Sequence, residues 1–313
     1  VRAGAGLGLF LHRADALKML MSSASAAIRV PASTSNLGPG FDCLGLALNL
    51  YNTVRVTRAD HAPVHRGMIA DTVAAFAQRF EMPKFEAEIK IEGDIPVSRG
   101  LGSSVTVRLG ILLGLAKVAQ SQSVSSKEIL RLLIELEGHP DNAVPSFFGG
   151  FAVCSRAGED LKAGFGYTRV AVDPKLSFVT LVPDLKLSTE VARGLLPHEV
   201  PFRHAVENAQ RAARIAAIFC TRDYPALSGL FVDHLHQPFR QSLIPGFAEI
   251  LGAAQETGAL GSFLSGAGSC LMAVTLENAE KIGAAMQETA KRHGLPGRVL
   301  VLRADNEGAK VVG

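Results

Sequence analysis

Gly100-Leu101-Gly102-Ser103-Ser104 stands between Ile95-Pro96-Val97 and an apolar run from Val105 to Ala119, and this junction restricts the fold sharply. Two glycines one residue apart let a backbone curl and be approached closely. The run behind them is long enough for a helix, and the first N–H groups of any helix lack intrahelical partners. The chain must therefore join a glycine turn to a buried helix whose start can face an anion. Two readings of the serines stay open: one of them caps the helix, or one places its oxygen on a metal.

Ala26 to Pro31 reads as a short strand stopped by proline, followed by a polar, glycine-punctuated loop from Ala32 to Asp42. Alternating apolar positions predict strands at 51–57 and 85–91, with helices at 71–80, 105–119 and 127–137. Further on, strands are expected at 168–172, 177–182, 271–276 and 298–303, and helices at 202–219, 245–257 and 278–293. Phe147 to Cys154 reads as a hairpin strand. Alternating strands favour α+β layers over a doubly wound parallel sheet. The glycine-rich interval 158–166 divides the chain into 26–160 and 161–313. Residues 1–25 stand apart and lack a signal-peptide layout. A misassigned start, with Met19 or Met21 as the true first residue, is preferred there over targeting or an added helix.

Several functions are disfavoured. With 48% hydrophobic and 19% charged residues the chain has a sizeable core, and a net charge of +3 without a basic stripe does not suit nucleic acid. Its apolar runs are too short and too interrupted to span a membrane. Cys43, Cys154, Cys220 and Cys270 have no metal-ligand spacing and read as buried thiols of a reducing compartment.

Neither a Gly-x-x-x-x-Gly-Lys-Ser/Thr loop nor a dinucleotide Gly-x-Gly-x-x-Gly is present, so phosphate chemistry requires a constellation. Phosphoryl transfer needs a backbone cradle, Mg²⁺ ligands, positive groups and an oriented acceptor. Ser104 and Glu137 offer a hydroxyl and a carboxylate to Mg²⁺. Helix 127–137 ends at Gly138-His139-Pro140-Asp141-Asn142, a turn either held by its own side chains or chemically active. Ser265-Gly266-Ala267-Gly268-Ser269 makes a second anion nest or a tight hairpin turn.

Pro31-Ala32-Ser33-Thr34-Ser35-Asn36-Leu37-Gly38-Pro39-Gly40-Phe41-Asp42 resembles the first signature of homoserine kinases, within the family of galactokinase, homoserine kinase, mevalonate kinase and phosphomevalonate kinase (GHMP). Gly100–Ser104 and Leu264–Gly268 are similar to its second and third signatures. Glu137–Asn142, Asp233-x-x-His236-Gln237-Pro238-x-Arg240, and Thr189-x-x-x-Arg193 before Leu196-Pro197 resemble the homoserine kinases in particular. The resemblance covers about 26–313.

It implies two α+β domains: an N-terminal ATP-binding domain (26–160) like the second domain of ribosomal protein S5, and a ferredoxin-like C-terminal domain (161–313). It implies ATP-dependent phosphorylation of the L-homoserine hydroxyl in threonine biosynthesis, in the cytoplasm, with a homodimer as a family expectation. ATP phosphates would lie on Gly100, Leu101, Gly102, Ser103 and Ser104. Mg²⁺ would be held by Ser104 and Glu137, which is preferred to Glu135. The substrate would meet Asn36, Asp42, His139, Asn142 and Gly266, with its carboxylate on Arg193 and Arg240 and its ammonium on Asp42. Thr189 would sit near the γ-phosphate, and Asp141 is the nearest analogue of a general base or else an orienting group. The rival readings are another small-molecule kinase of this family and a non-catalytic ligand-binding protein. One departure stands out: Val105-Thr106-Val107-Arg108 replaces an alanine-rich helix start, and Arg108 either alters the nucleotide site or faces outward.

Overall fold

The computed structural model describes residues 25–59, 61, 63–81, 86–119, 124–156, 158 and 164–313. The extension before Ser25, with Met19 and Met21, and the boundary residues 160 and 161 lie outside the described residues.

Strand β1 (Ser25–Asn36) and the 20-residue β2 (Gly40–Ala59) form the centre of the first sheet. The long β2 serves two neighbours in succession: Leu44–Leu46 pairs with β4 (Phe151–Arg156), and Asn52–Ala59 pairs with β3 (Glu86–Gly93). Beyond β4 lies β5 (Phe165–Val170), and on the other edge β10 (Lys310–Val311) pairs with β1. The second sheet has the order β7 (Gly261–Leu264), β8 (Leu271–Thr275), β6 (Ser177–Pro183), β9 (Gly297–Arg303). Every pairing in both sheets is antiparallel, in keeping with the α+β expectation. The sheets change between Val170 and Ser177, so β5, beyond the expected 160/161 division, still belongs to the first sheet.

The expected stop at Pro31 does not occur. β1 runs on through Ser33, Thr34, Ser35 and Asn36, all buried, because the pairing register with β2 shifts between Pro31 and Ala32. A proline is tolerated at such an irregularity, where a ladder hydrogen bond is not required of it. The hairpin expected from Phe147 is also revised: 143–148 is a short helix that turns into β4 at Gly149-Gly150.

Helices α1 (Gly67–Arg79), α2 (Ser103–Val118), α3 (Ser126–Glu137) and α4 (Ala143–Phe148) cover one face of the first sheet. A Cβ on Gly110 or Gly114 would lie 2.4 Å from Val54 or Val56, so these glycines let α2 lie close against β2. Ser125 and Glu128 form a reciprocal capping box at the start of α3, and left-handed Gly138 ends it. After α5 (Thr189–Gly194), helix α6 (Phe202–Thr221) joins the two sheets. Its Ile215, Ile218 and Phe219 share one core with Leu46 and Phe151 of the first sheet and Phe178 and Met272 of the second. The rings of Phe151 and Phe219 stack 4.1 Å apart. The four-residue α7 (Gln237–Arg240) follows, and α8 (Phe247–Glu256) and α9 (Ala279–Arg292) cover the other face of the second sheet.

Of the four cysteines, Cys154 and Cys270 are buried and Cys43 is half-buried. Cys220 is exposed near the end of α6, against expectation, since the helix turns that position to solvent. No helix among the described residues is long and apolar enough to cross a membrane.

Candidate active site

A cleft of about 700 Å³ opens where the start of α2, the turn after α3, the β1–β2 turn, α5 and the 265–268 turn converge. Gly100, Gly102, Ser103, Ser104, Glu137, His139, Asp141, Asn142, Asn36, Asp42, Thr189, Arg193, Arg240 and Gly266 all line it. Leu101 does not; its side chain is sealed into the shared core while its carbonyl accepts from Ser33 N at 3.2 Å.

The glycine turn is held from both sheets. Gly100 and Gly102 have φ of +78° and +67°. A Cβ on Gly100 would lie 2.0 Å from the Ser265 carbonyl oxygen, and one on Gly102 2.3 Å from Ser33 Oγ. Gly102 itself is the N-cap of α2 and no side chain caps it, so the capping reading of Ser103 and Ser104 is set aside. The reason is local: left-handed Gly102 carries the chain into the helix and leaves both serines inside its first turn. Ser104 Oγ donates instead to Glu137 Oε2 at 2.9 Å.

Two residues earlier on α3, Glu135 forms an ion pair with Arg79 of α1. Residues two apart on a helix do not share a face, and the one turned to the cleft is Glu137. Arg108 does not face outward. Its Nη1 donates to Glu137 Oε1 at 2.9 Å and to the Leu136 carbonyl.

Ser33, Thr34 and Ser35, read as loop, are the struts of the site. Asn142 accepts from Ser33 Oγ and donates to Ser35 Oγ, both at 2.9 Å. Ser265 Oγ donates to the Gly100 carbonyl at 2.6 Å, so at the 2.8 Å contact with Thr34 it is Thr34 that donates. Asn36, at φ +71°, spends its side chain on the turn: Nδ2 donates to the Gly266 carbonyl at 3.0 Å and Oδ1 accepts from Asp42 N at 3.0 Å.

His139 Nδ1 lies 2.6 Å from Asp141 Oδ1. Burial, the largest single influence on each, opposes both charges. The mutual attraction outweighs it, holding His139 above and Asp141 below their ordinary pKa values, with Ser35 and Arg193 also lowering Asp141. Asp42 and Arg193 form a two-bonded ion pair at 2.7 and 3.1 Å. Thr189 opens α5, which is capped by Ser188.

Arg240 is almost wholly buried. It donates to the carbonyls of Ala192 (3.1 Å) and Gly266 (3.2 Å), and burial followed by repulsion from Arg193 pulls its pKa down to about 10. Its Nη1 also lies 3.2 Å from His236 Nδ1. Arginine only donates, so His236 Nδ1 accepts, and Nε2 donates to the Gly38 carbonyl at 2.8 Å. His236 is therefore neutral with its proton on Nε2, in keeping with a pKa lowered mainly by burial. Asp233 accepts from the backbone N–H groups of Leu235, His236 and Gln237 and from Asn208 Nδ2, which fixes this segment. Phe41 was not anticipated. The guanidinium carbons of Arg193 and Arg240 each lie 5.4 Å from its ring centre, and His236 stacks on it at 5.3 Å. An aromatic inside a polar, glycine-rich loop was the available signal.

Among the described residues no group of three or more His, Cys, Asp or Glu side chains is placed to hold a metal. The donor pair Ser104–Glu137 beside the Gly100–Ser104 turn suits a hard cation that arrives with oxygen ligands of its own. A turn whose glycines admit no Cβ, followed by a 16-residue helix, suits the phosphates that would bring it.

Two family models match the sequence: GHMP kinases N terminal domain over residues 64–150 and GHMP kinases C terminal over 205–292. Homoserine kinase of Clostridium beijerinckii is 37% identical over 296 residues, covering 91% of this chain and 98% of that protein. Homoserine kinase of Aquifex aeolicus is 38% identical over 300 residues, with coverage of 91% and 98%. The crystal structure of homoserine kinase from Cytophaga hutchinsonii superposes with a TM-score of 0.82 at 24% identity, covering 92% and 98% of the two chains. A more distant structure, MDDEF with MVAPP, AMPPCP and magnesium, has a TM-score of 0.67 at 13% identity, with coverage of 93% and 99%.

Proposed function

The chain belongs to the GHMP kinases and, within them, to the homoserine kinases, and from that premise we infer how its residues divide the work. It transfers the γ-phosphoryl group of ATP to the side-chain hydroxyl of L-homoserine, giving O-phospho-L-homoserine and ADP in threonine biosynthesis, with Mg²⁺. Bound with the nucleotide, Mg²⁺ supplies charge neutralisation across the phosphate oxygens.

In our reading the backbone of Gly100–Ser104 and the first turn of α2 receive the phosphates, and Ser104 Oγ with Glu137 Oε2 holds the metal. Asp42 takes the homoserine ammonium. Arg193 takes its carboxylate, with Arg240 behind it supplying charge and fixing the floor at Gly266. Thr189 adjoins the acceptor hydroxyl. Asp141 serves as an orienting group, since a carboxylate sealed from solvent, bound to His139 and held low in pKa is a weak proton acceptor. Rate enhancement then rests on positioning and on charge stabilisation of the transferring group.

One observation carries this division. The Ser104–Glu137 pair and the Asp42–Arg193 pair line a single cleft, one suited to a metal-bound polyphosphate and the other to a zwitterion. A coupled ADP-release assay offering L-homoserine, L-threonine, mevalonate and galactose tests it. Turnover with homoserine is expected, and Glu137→Gln should lower kcat at least about 100-fold by removing a charged metal ligand (about 2.7 kcal/mol). Absence of homoserine-dependent ADP release, or an unaffected Glu137→Gln enzyme, would overturn it.

We also propose a cytoplasmic, homodimeric enzyme with no nucleic-acid partner. The support is the pathway, the family expectation and the mild +3 charge. Mass measurement in solution tests the dimer.

A further inference from the structure

Arg108 lies one turn after Ser104 on α2 and lines the same cleft. Its guanidinium donates through Nη1 alone, to Glu137 Oε1 and to the carbonyl of Leu136 in the last turn of α3. Those two bonds use both Nη1 hydrogens. Nε is buried and donates to nothing. Nη2 makes no hydrogen bond within the protein and, unlike Nε, is not buried, so it is the guanidinium nitrogen that an oxyanion in the cleft can reach. Of the other cleft arginines, Arg193 is committed to Asp42 and Arg240 to Ala192 and Gly266, while Arg99 is bonded through Nε and Nη1 to the carbonyls of Pro183 and Val97. Arg108 thus presents Nη2 to the cleft one turn beyond the glycine turn, and its anchor on a backbone carbonyl keeps it there.

We propose that Arg108 is a further phosphate-binding residue of this kinase: its Nη2 takes an oxygen of the nucleotide's terminal phosphates, while Nη1 keeps Glu137 turned so that Oε2 faces Ser104. The proposal rests on the reading of Gly100–Ser104 as the nucleotide cradle. The charge also fits the site, because Glu137 paired with Arg108 is neutral overall and leaves the cradle free of net repulsion toward a polyphosphate.

The alternative is that Arg108 only caps the C-terminus of α3. The two roles separate when a fluorescent ADP analogue is titrated into the full-length wild type, Arg108→Met and Arg108→Gln, once in EDTA and once in Mg²⁺, alongside thermal melts. Phosphate binding by Arg108 predicts at least a tenfold weaker affinity in EDTA for both variants, with adenosine competing equally well in all three proteins. Affinity within twofold of wild type in EDTA, in either variant that melts cooperatively, would overturn it even if the melting temperature falls. Should Arg108→Met fail to fold, Arg108→Gln, which keeps an amide able to reach Leu136, carries the test. Failure of the wild type itself to bind the analogue under both conditions would overturn the cradle reading and this proposal together; tight wild-type binding with unaffected variants would remove Arg108 alone.

Discussion

Arg193 meets Asp42 with Nη1 and Nη2 matched to the two carboxylate oxygens, tying α5 to the start of β2. Each is the other's partner, so under the proposed division a zwitterionic amino acid would enter by exchange: its ammonium would replace the guanidinium on Asp42 and its carboxylate would replace Asp42 on Arg193. A ligand with one charge strands one of the pair. Asp42→Asn should raise the homoserine KM about 10- to 100-fold, the range of one charge-assisted hydrogen bond, and leave the ATP KM within about twofold. Steady-state kinetics in both substrates checks this, and a parallel rise in both KM values would contradict it.

Arg240 supports the site as well as facing it. Arg240→Ala should lose homoserine affinity and also lower Tm by about 5 °C or more, since carbonyls of Ala192 and Gly266 lose a buried charged donor. Calorimetry beside kinetics separates the two effects; an unchanged Tm would show that the buried bonds contribute little.

Gly100→Ala should be far worse than an ordinary glycine-to-alanine change. It places a methyl 2.0 Å from a backbone oxygen at a φ of +78°, where L-residues are strained. We expect about 2–4 kcal/mol of destabilisation from the combined clash and strain and loss of nucleotide binding in whatever folds. Denaturant unfolding with nucleotide titration would show it, and near-wild-type values for both would refute the fixed geometry of the turn.

His236 gives the stability a pH dependence with a definite sign. Its folded pKa lies below the ordinary histidine value, so the unfolded chain takes up the proton first. The stabilisation from neutral His236 is complete above the ordinary value and declines as pH falls toward the depressed folded one. His236→Gln should flatten that limb by about one proton, roughly 1.4 kcal/mol per pH unit. Unfolding free energies measured across the acid side test this; an unchanged slope would mean His236 does not titrate differently on folding.

The chemistry of the site was more legible in the sequence than its construction. Ser104 and Glu137 were named by what Mg²⁺ and phosphate ask of a site, Asp42 and Arg193 through the resemblance to homoserine kinases, and the fold brings all four to one cleft. The strand character of Ser33–Asn36 was hidden, since small polar residues in a buried strand look like loop until their partners, Asn142 and Ser265, arrive from over 100 residues away. Glu135 and Glu137 could be told apart only by the rotation of α3 against α1 and α2, a tertiary quantity. The same holds for Arg108. Strand β10 escaped because two residues carry no periodicity, and 143–148 escaped because its paired phenylalanines mimic a strand.

The pairing of β10 with β1 has a consequence for how the chain is made. Ile28 and Arg29 pair with Val311 and Lys310, residues that leave the ribosome about 280 positions later. Until those residues emerge one margin of the first sheet lies bare, with the unpaired N–H and C=O groups that recruit stray strands. The Gly100–Ser104 turn hangs on that same sheet through Ser33. A nascent chain can thus build nearly all the elements around the cleft while still being exposed to misassociation, and the window closes only when Lys310 and Val311 fold back on β1.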